Sequence, residues 1–342
     1  MKFSLLAWIK EYSPRCTYNL SLSGLPEPDL EEFSINTNYK DFLDIIGSGD
    51  DPEEMFRREL GRVYSLDRDL VLPTVGGSEA IQLVFLKLAA KTRSVLVPKP
   101  NYEPMFLVPR AMGLEVLSEQ DPKHGLAVAL TDINNPTGRS VPDSVFREYI
   151  DSKNPNLVYV DETFKEFAAG DSSYTRFTKG HPIITSGSMS KFYGISKLRI
   201  GWIFAEYEVI EELRDLSRLV RGENNAYSLW ISAQAISKRS EFARRARSIY
   251  VRNRELVRQF VEGSNLVWSE PEGAPICLIS YKGKERSEIL CRRIFDRTGV
   301  LVAPGEYFGD EFSFRLCFTH NKPSILEEAL HRLSSFFRSV EL

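Results

Sequence analysis

Apolar residues between positions 69 and 205 gather in short continuous runs instead of alternating strictly with polar ones. Runs at 69–75, 94–97, 114–118, 126–131, 156–160, 182–186 and 200–205 predict strands, several of them apolar enough to be covered on both faces. After Gly77, the positions Ile81, Val84, Phe85 and Leu88 recur at helical spacing, so a helix opens there. Strands alternating with helices argue for an α/β sheet. Beyond 205 the pattern changes. Helical periodicity runs over 207–221 and 227–262, strand-like runs follow at 276–281, 300–303 and 313–318, and a last helix starts at 324. We expect a large domain over 40–250 and a smaller α+β domain from 251–342. Residues 1–39, rich in Pro, Asn and Asp, are expected to pack against the smaller one.

Composition narrows the classes without choosing among them. Of 342 residues, 42% are hydrophobic and 27% charged, the balance of an ordinary soluble globular chain. A net charge of -3 gives no basis for a nucleic-acid surface or an anionic membrane partner. The run Arg244-Arg245-Ala246-Arg247 lies in a helical stretch and reads as a solvated face. Cys16, Cys277, Cys291 and Cys317 lack C-x-x-C spacing, so neither a metal site nor a disulfide framework is expected, and a reducing, cytoplasmic setting is. The apolar run within Met1–Lys10 is too short for a signal peptide, and no stretch reaches the length of a membrane span.

Chemistry-bearing residues recur where predicted strands end, the usual ligand edge of an open α/β sheet. Thr74-Val75-Gly76-Gly77-Ser78 joins a strand to a helix start, where free amides and the helix dipole suit a phosphate; Ser78 also reads as a plain N-cap. Tyr102 follows the second run and offers a ring for a flat heteroaromatic, or simple loop packing. Asn135, in Asn134-Asn135-Pro136-Thr137-Gly138, follows the fourth and is also a good turn residue. Asp161 ends the fifth apolar run, where a carboxylate is costly unless paired. Lys191 follows the sixth in Ser188-Met189-Ser190-Lys191, with Arg199-Ile200-Gly201 eight residues on. A lysine framed by small residues is suited to a Schiff base, and the arginine to a phosphate.

In this order, S-x-S-K…R-x-G included, the residues resemble the class I/II aminotransferases, pyridoxal-phosphate enzymes of fold type I, over most of the chain from Ser23-Gly24-Leu25-Pro26 to Phe314-Arg315-Leu316. The resemblance implies a mostly parallel seven-stranded sheet flanked by helices, a homodimer, and pyridoxal 5'-phosphate as cofactor. It implies that Lys191 carries the cofactor and shuttles a proton, and that Asp161 pairs with its pyridine nitrogen. Asn135 would bond the ring oxygen and border the substrate, and Tyr102 would stack on the ring. Gly77, Ser78, Ser188 and Arg199 would hold the phosphate. Arg315 would grip the substrate carboxylate, with Gly24 close by.

Two departures stand out. Phe164 occupies the place of a family tyrosine that bonds the ring oxygen, which should raise the pKa of the lysine Schiff base. Near Gly47, where the family often places a tyrosine for the partner subunit's phosphate, there is none; Tyr39 is an unaligned substitute. The implied activity is transfer of an amino group from an amino acid to a 2-oxo acid by a ping-pong mechanism. The same fold hosts phosphothreonine-type decarboxylases and carbon–sulfur lyases, which stay open as the alternative. A nicotinamide-binding protein is disfavoured because no G-x-G-x-x-G follows the early strand. A noncatalytic regulator is disfavoured because no basic recognition helix or appended module is visible.

Overall fold

The computed structural model describes residues 2–119, 127–151, 155–170 and 173–340. The chain opens with helix α1 (Ser4–Tyr12) and the short strand β1 (Tyr18–Asn19), then α2 (Tyr39–Gly47) and α3 (Pro52–Tyr64). Local chemistry sets these starts. Asn38 accepts from the amides of Lys40 and Asp41 at the head of α2, and Asp51 accepts from Glu53 N ahead of Pro52 in α3.

The central sheet is built from β2 (Val71–Thr74), β3 (Ser94–Leu96), β4 (Glu115–Leu117), β5 (Ala127–Thr131), β6 (Leu157–Asp161), β7 (Ile183–Ser188) and β8 (Gly201–Phe204). Its spatial order is β2-β8-β7-β6-β5-β3-β4; β8 runs antiparallel to both neighbours and the remaining pairs are parallel. All seven expected strands therefore join one sheet, mostly parallel as the resemblance implied. Leu126, the expected start of the fourth, lies outside the described residues. Helices α4 (Gly76–Lys91), α5 (Pro104–Ala111), α6 (Asp143–Asp151) and α7 (Tyr207–Arg221) flank the sheet sequence. The α7 helix buries Ile210 and Leu213 on one face, each worth about 1.5–3 kcal/mol, and ends where Gly222 takes φ 78°.

The remaining elements are α8 (Ala226–Ser237), α9 (Arg239–Glu262), β9 (Leu266–Trp268), β10 (Ile276–Tyr281), α10 (Ser287–Thr298), β11 (Val300–Leu301), β12 (Ala303–Pro304), β13 (Ser313–Cys317) and α11 (Pro323–Ser339). A second, four-stranded sheet has the order β12-β13-β10-β9, and β1 pairs in parallel with β11. Two expectations need correction. The single helix over 227–262 is broken at Lys238, which leaves helical geometry at φ -98° and ψ 17° with neither Pro nor Gly present. Tertiary packing causes the break, since α8 lies against α3 while α9 runs on to the second sheet's core. The strand over 300–303 divides because the chain changes partner, β11 pairing with β1 and β12 with β13.

Three large hydrophobic cores result among the described residues. One holds Phe56, Trp202, Trp230 and Phe242; a second holds Trp8, Phe260, Leu290 and Phe314; a third, with Val84, Phe85, Val95 and Tyr159, joins α4 to the central sheet. The opening segment feeds the first two, with Leu25, Phe33 and Ile35 in the first and Trp8, Tyr12 and Leu20 in the second. Arg245 departs from the expected solvated face: its Nη2 donates to the Pro26 carbonyl at 2.7 Å. Among the described residues no helix is long and apolar enough to cross a membrane.

Glycine is required at position 201. A Cβ there would lie 2.7 Å from both the Gly187 carbonyl oxygen and the Gly76 carbonyl carbon, backbone that cannot swing aside. Gly201→Ala is expected to cost about 1–3 kcal/mol, read as a lower urea midpoint at unchanged slope. An unchanged midpoint would overturn the close stacking of the three segments.

Candidate active site

Strands β5, β6 and β7 lie side by side, with Thr131 opposite Asp161 and Asp161 opposite Ser186 in the ladder. Their carboxyl ends meet a cavity of about 590 Å³, a size usual for a small-molecule site. All ten residues singled out from the sequence line it, from Gly24 near the N-terminus to Arg315 near the C-terminus.

Lys191 directs its amine toward Ser23, whose Oγ lies 3.1 Å from Nζ. Burial, followed by the Arg315 guanidinium, lowers its pKa to about 8, so about a tenth of it is neutral at pH 7, far more than of an ordinary lysine. The segment holding Ser23 is laid along the lysine loop, because Leu25 N donates to the Lys191 carbonyl at 3.0 Å. Gly24 must be glycine for this approach: a Cβ would stand 2.6 Å from the Ser190 carbonyl oxygen.

Asp161 is buried, and its Oδ1 accepts from Thr163 N at 3.0 Å and Thr163 Oγ1 at 2.5 Å. Burial raises its pKa while the Thr163 bonds pull it back. Tyr102 lines the cavity, and burial, with Asp161 nearby, pushes its phenol up to about 12, so it stays neutral. Asn135 is buried and accepts through Oδ1 from Arg315 Nη1 at 2.9 Å, leaving its amide nitrogen as the donor end.

Helix α4 begins at Gly76, with Val75 at the cap position and no side-chain cap bond. Ser78 is therefore the third helical residue, which corrects the N-cap alternative. The first-turn amides of α4 have no intrahelical partners, and the helix dipole adds positive potential there. Arg199, at φ 54°, covers Gly76: a Cβ on Gly76 would meet Arg199 Nη2 at 2.6 Å. Ser188 and Ser190 share a hydroxyl–hydroxyl bond beside the lysine.

Arg315 reaches the cavity from β13. It is 2% exposed, donates Nη2 to the Ser21 carbonyl at 2.7 Å, and stacks with its guanidinium 4.8 Å from the Phe308 ring centre. Its buried Nε has no partner among the described residues. Among the described residues lining the cavity, Asp161 is the only carboxylate, facing the cations Lys191, Arg199 and Arg315. The site thus favours an anionic ligand.

Sequence reading missed Ser23, Thr163 and the lining from helix α1. Thr163 carried a signal, the D-x-T spacing of a local side-chain turn. Ser23 carried none beyond its place next to Gly24. Phe164 does sit in the site, its ring centre 5.9 Å from Lys191 Nζ, and it brings no hydroxyl. Gly47 ends α2, and Tyr39 at the start of that helix is 60% exposed.

The family described as aminotransferase class I and II matches residues 33–333. The chain belongs to this family. Among curated relatives, it is 25% identical to a probable aspartate/prephenate aminotransferase of Thermus aquaticus, over 82% of this chain and 79% of that one. It is 24% identical to capreomycidine synthase of Streptomyces vinaceus, over 78% and 74%. In fold it is similar to a PLP-dependent aminotransferase from Streptococcus suis (TM-score 0.88, 20% identity, covering 100% and 99% of the two chains). It is also similar to the PLP-dependent cyclase OrfR (TM-score 0.85, 22% identity, covering 99% and 97%). This aminotransferase family member uses pyridoxal 5'-phosphate. The residues present fit that group: a half-buried amine of lowered pKa, a buried carboxylate, a helix N-terminus under an arginine, and a guanidinium with an unpartnered N–H.

Proposed function

We propose that the protein is an aminotransferase that moves the amino group of an amino acid to a 2-oxo acid by a ping-pong mechanism. One observation carries the reading. Lys191, its basicity depressed, shares a cavity with the Asp161 carboxylate and with Arg315, which forms no ion pair among the described residues. The cofactor supplies an electron sink conjugated to the substrate's α-carbon. In this reading Lys191 holds it covalently through Nζ and, when released, carries a proton from and to the α-carbon. Asp161 keeps the pyridine nitrogen protonated, its own charge steadied by Thr163. Asn135 donates to the ring oxygen and Tyr102 covers the ring. The amides of Gly77 and Ser78 hold the phosphate with Ser188 and Arg199. Arg315 binds the substrate carboxylate, oriented by Asn135 and Ser21, and Gly24 leaves room for that carboxylate beside the lysine.

The test is a half-reaction screen of the holoenzyme, each amino acid added singly, with absorbance followed and products identified. A 2-oxo acid supports the proposal; an amine with released carbon dioxide overturns it in favour of the decarboxylase alternative. We also expect the cofactor-free protein to take up pyridoxal phosphate faster as pH rises through about 8, where Lys191 loses its proton, and not only near the ordinary lysine value of 10.5. Borohydride trapping across pH measures this, and a midpoint near 10.5 would remove the claimed depression.

We further place the protein in a homodimer. The support is α2, which buries only Phe42 and leaves Tyr39, Leu43 and Ile46 exposed. Its cysteines are unpaired, three of them buried, as suits a reducing, cytoplasmic compartment.

A further inference from the structure

Two charged side chains lie just behind the site, each one residue beyond a residue that lines it. Asp132 follows Thr131, and Lys165 follows Phe164. They are 1% and 2% exposed, and Lys165 Nζ meets Asp132 Oδ2 at 2.5 Å. Arg176 Nε donates to the same oxygen at 2.9 Å, while Asp132 Oδ1 accepts from Ser140 Oγ at 3.0 Å and Val141 N at 3.1 Å. Glu162, also buried, accepts from Thr175 Oγ1 at 2.5 Å and Arg176 N at 2.6 Å. Burying ions is costly, and apolar residues of similar volume often give equal stability, so stability alone does not account for the cluster.

Its place in the chain does. Asp132 opens the loop that carries Asn135, whose amide is tied back to Thr131 Oγ1 at 3.3 Å and whose Oδ1 holds Arg315. Lys165 opens the turn Lys165–Phe167. Residues 271–276 are seated against both. Glu272 N donates to the Gly138 carbonyl at 2.8 Å, and its carboxylate pairs with Arg139 at 2.7 Å and accepts from Ser140 N at 3.0 Å. The fit is close. A Cβ on Gly138 would stand 2.2 Å from the Ile276 carbonyl oxygen, and one on Gly273 would stand 2.9 Å from that of Phe167. Ile133 from the loop and Phe164 beside the turn share one small core with Ala274, Ile276 and Cys317. Ile276 then opens β10, in which Leu278 lies opposite Arg315 of β13.

We propose that Lys165 and Asp132 are positioning residues. Their ion pair fixes the gap between the Asn135 loop and the Phe164 turn and so, through residues 271–276 and β10, the place of Arg315 against Asn135. This role rests on the aminotransferase reading above. It draws nothing from a partner subunit, because both charges are already enclosed by their own chain.

Lys165→Met tests it, since the variant keeps the apolar stem and leaves Asp132 with Arg176, Ser140 and Val141. In its holoenzyme, amide exchange across 271–276 should quicken at least about tenfold. The value of kcat/KM should fall roughly 10- to 100-fold. The Schiff-base absorbance should titrate at higher pH, because Asn135 loosens its hold on the ring oxygen. In an Asn135→Ala background the same change should lower kcat/KM by less than about threefold more, since the residue it acts through is gone. Glu272→Ala, at an ion pair about half exposed on both sides, should move exchange, absorbance and kcat/KM in the same directions and by less. It carries the test alone if Lys165→Met does not fold. Unmoved exchange, an unmoved absorbance midpoint, or effects that simply multiply in the double variant overturn the role even while borohydride still labels Lys191. Loss of labelling at Lys191 in the unaltered protein overturns the aminotransferase reading, and this inference with it.

Discussion

Lys191→Ala is expected to lose the borohydride-fixable chromophore and to lower turnover at least about 10²–10⁴-fold, the range that general acid–base catalysis alone contributes. The deficit should exceed that range, because the same amine also holds the cofactor. The protein should still fold. Lys191 lines the cavity, its side-chain bond among the described residues is to the Ser23 hydroxyl, and the buried Asp161 keeps both Thr163 bonds when the side chain is shortened. Absorbance spectra, peptide mapping after reduction and initial rates together read the result. A label recovered at another lysine, or turnover within a few-fold of the unaltered protein, would remove Lys191 from the chemistry.

The second large effect is expected at Arg315, and from a change that keeps the charge. In Arg315→Lys, one ammonium must serve Asn135 Oδ1, the Ser21 carbonyl and the substrate carboxylate, where the guanidinium has separate N–H groups for each. Disrupting a buried, hydrogen-bonded charge pair costs about 2–5 kcal/mol, so kcat/KM should fall roughly 30- to 5,000-fold. Most of the loss should appear in KM, since a carboxylate is bound equally in ground and transition states. Asn135 loses its orienting donor in the same variant, so a smaller fall in kcat accompanies it. Undiminished kcat/KM would mean that the substrate carboxylate binds elsewhere.

The parts of this protein legible from sequence are those fixed by short-range rules. Strands β5, β6 and β7 read as apolar runs because both faces are covered, and the polar residue ending each run marks the edge where ligands sit. Asp161 and Lys191 were recognisable on that ground, and the R-x-G glycine has its reason in Gly187 and Gly76. What sequence hid depends on partners far along the chain. Helix α1 carries an amphipathic pattern in Leu5, Trp8, Ile9 and Tyr12, but its meaning lies in Val302 and Phe295, nearly three hundred residues on. The bond from Lys191 to Ser23 spans 168 positions. The break at Lys238 has no local cause, so periodicity ran straight through it.

Helix α9 has a consequence for how the site keeps its dimensions. Its 24 residues form a rod about 36 Å long, with Phe242 and Ile249 set in one core and Val257 and Phe260 in the other. Lys191 follows a strand of the first sheet, whereas Arg315 stands on a strand of the second. The gap between the group that moves the proton and the group that grips the carboxylate is thus spanned by a stiff beam rather than a pliant hinge. Misfit in either half is passed on as tilt, so tolerance at the reacting centre is governed by packing well away from it.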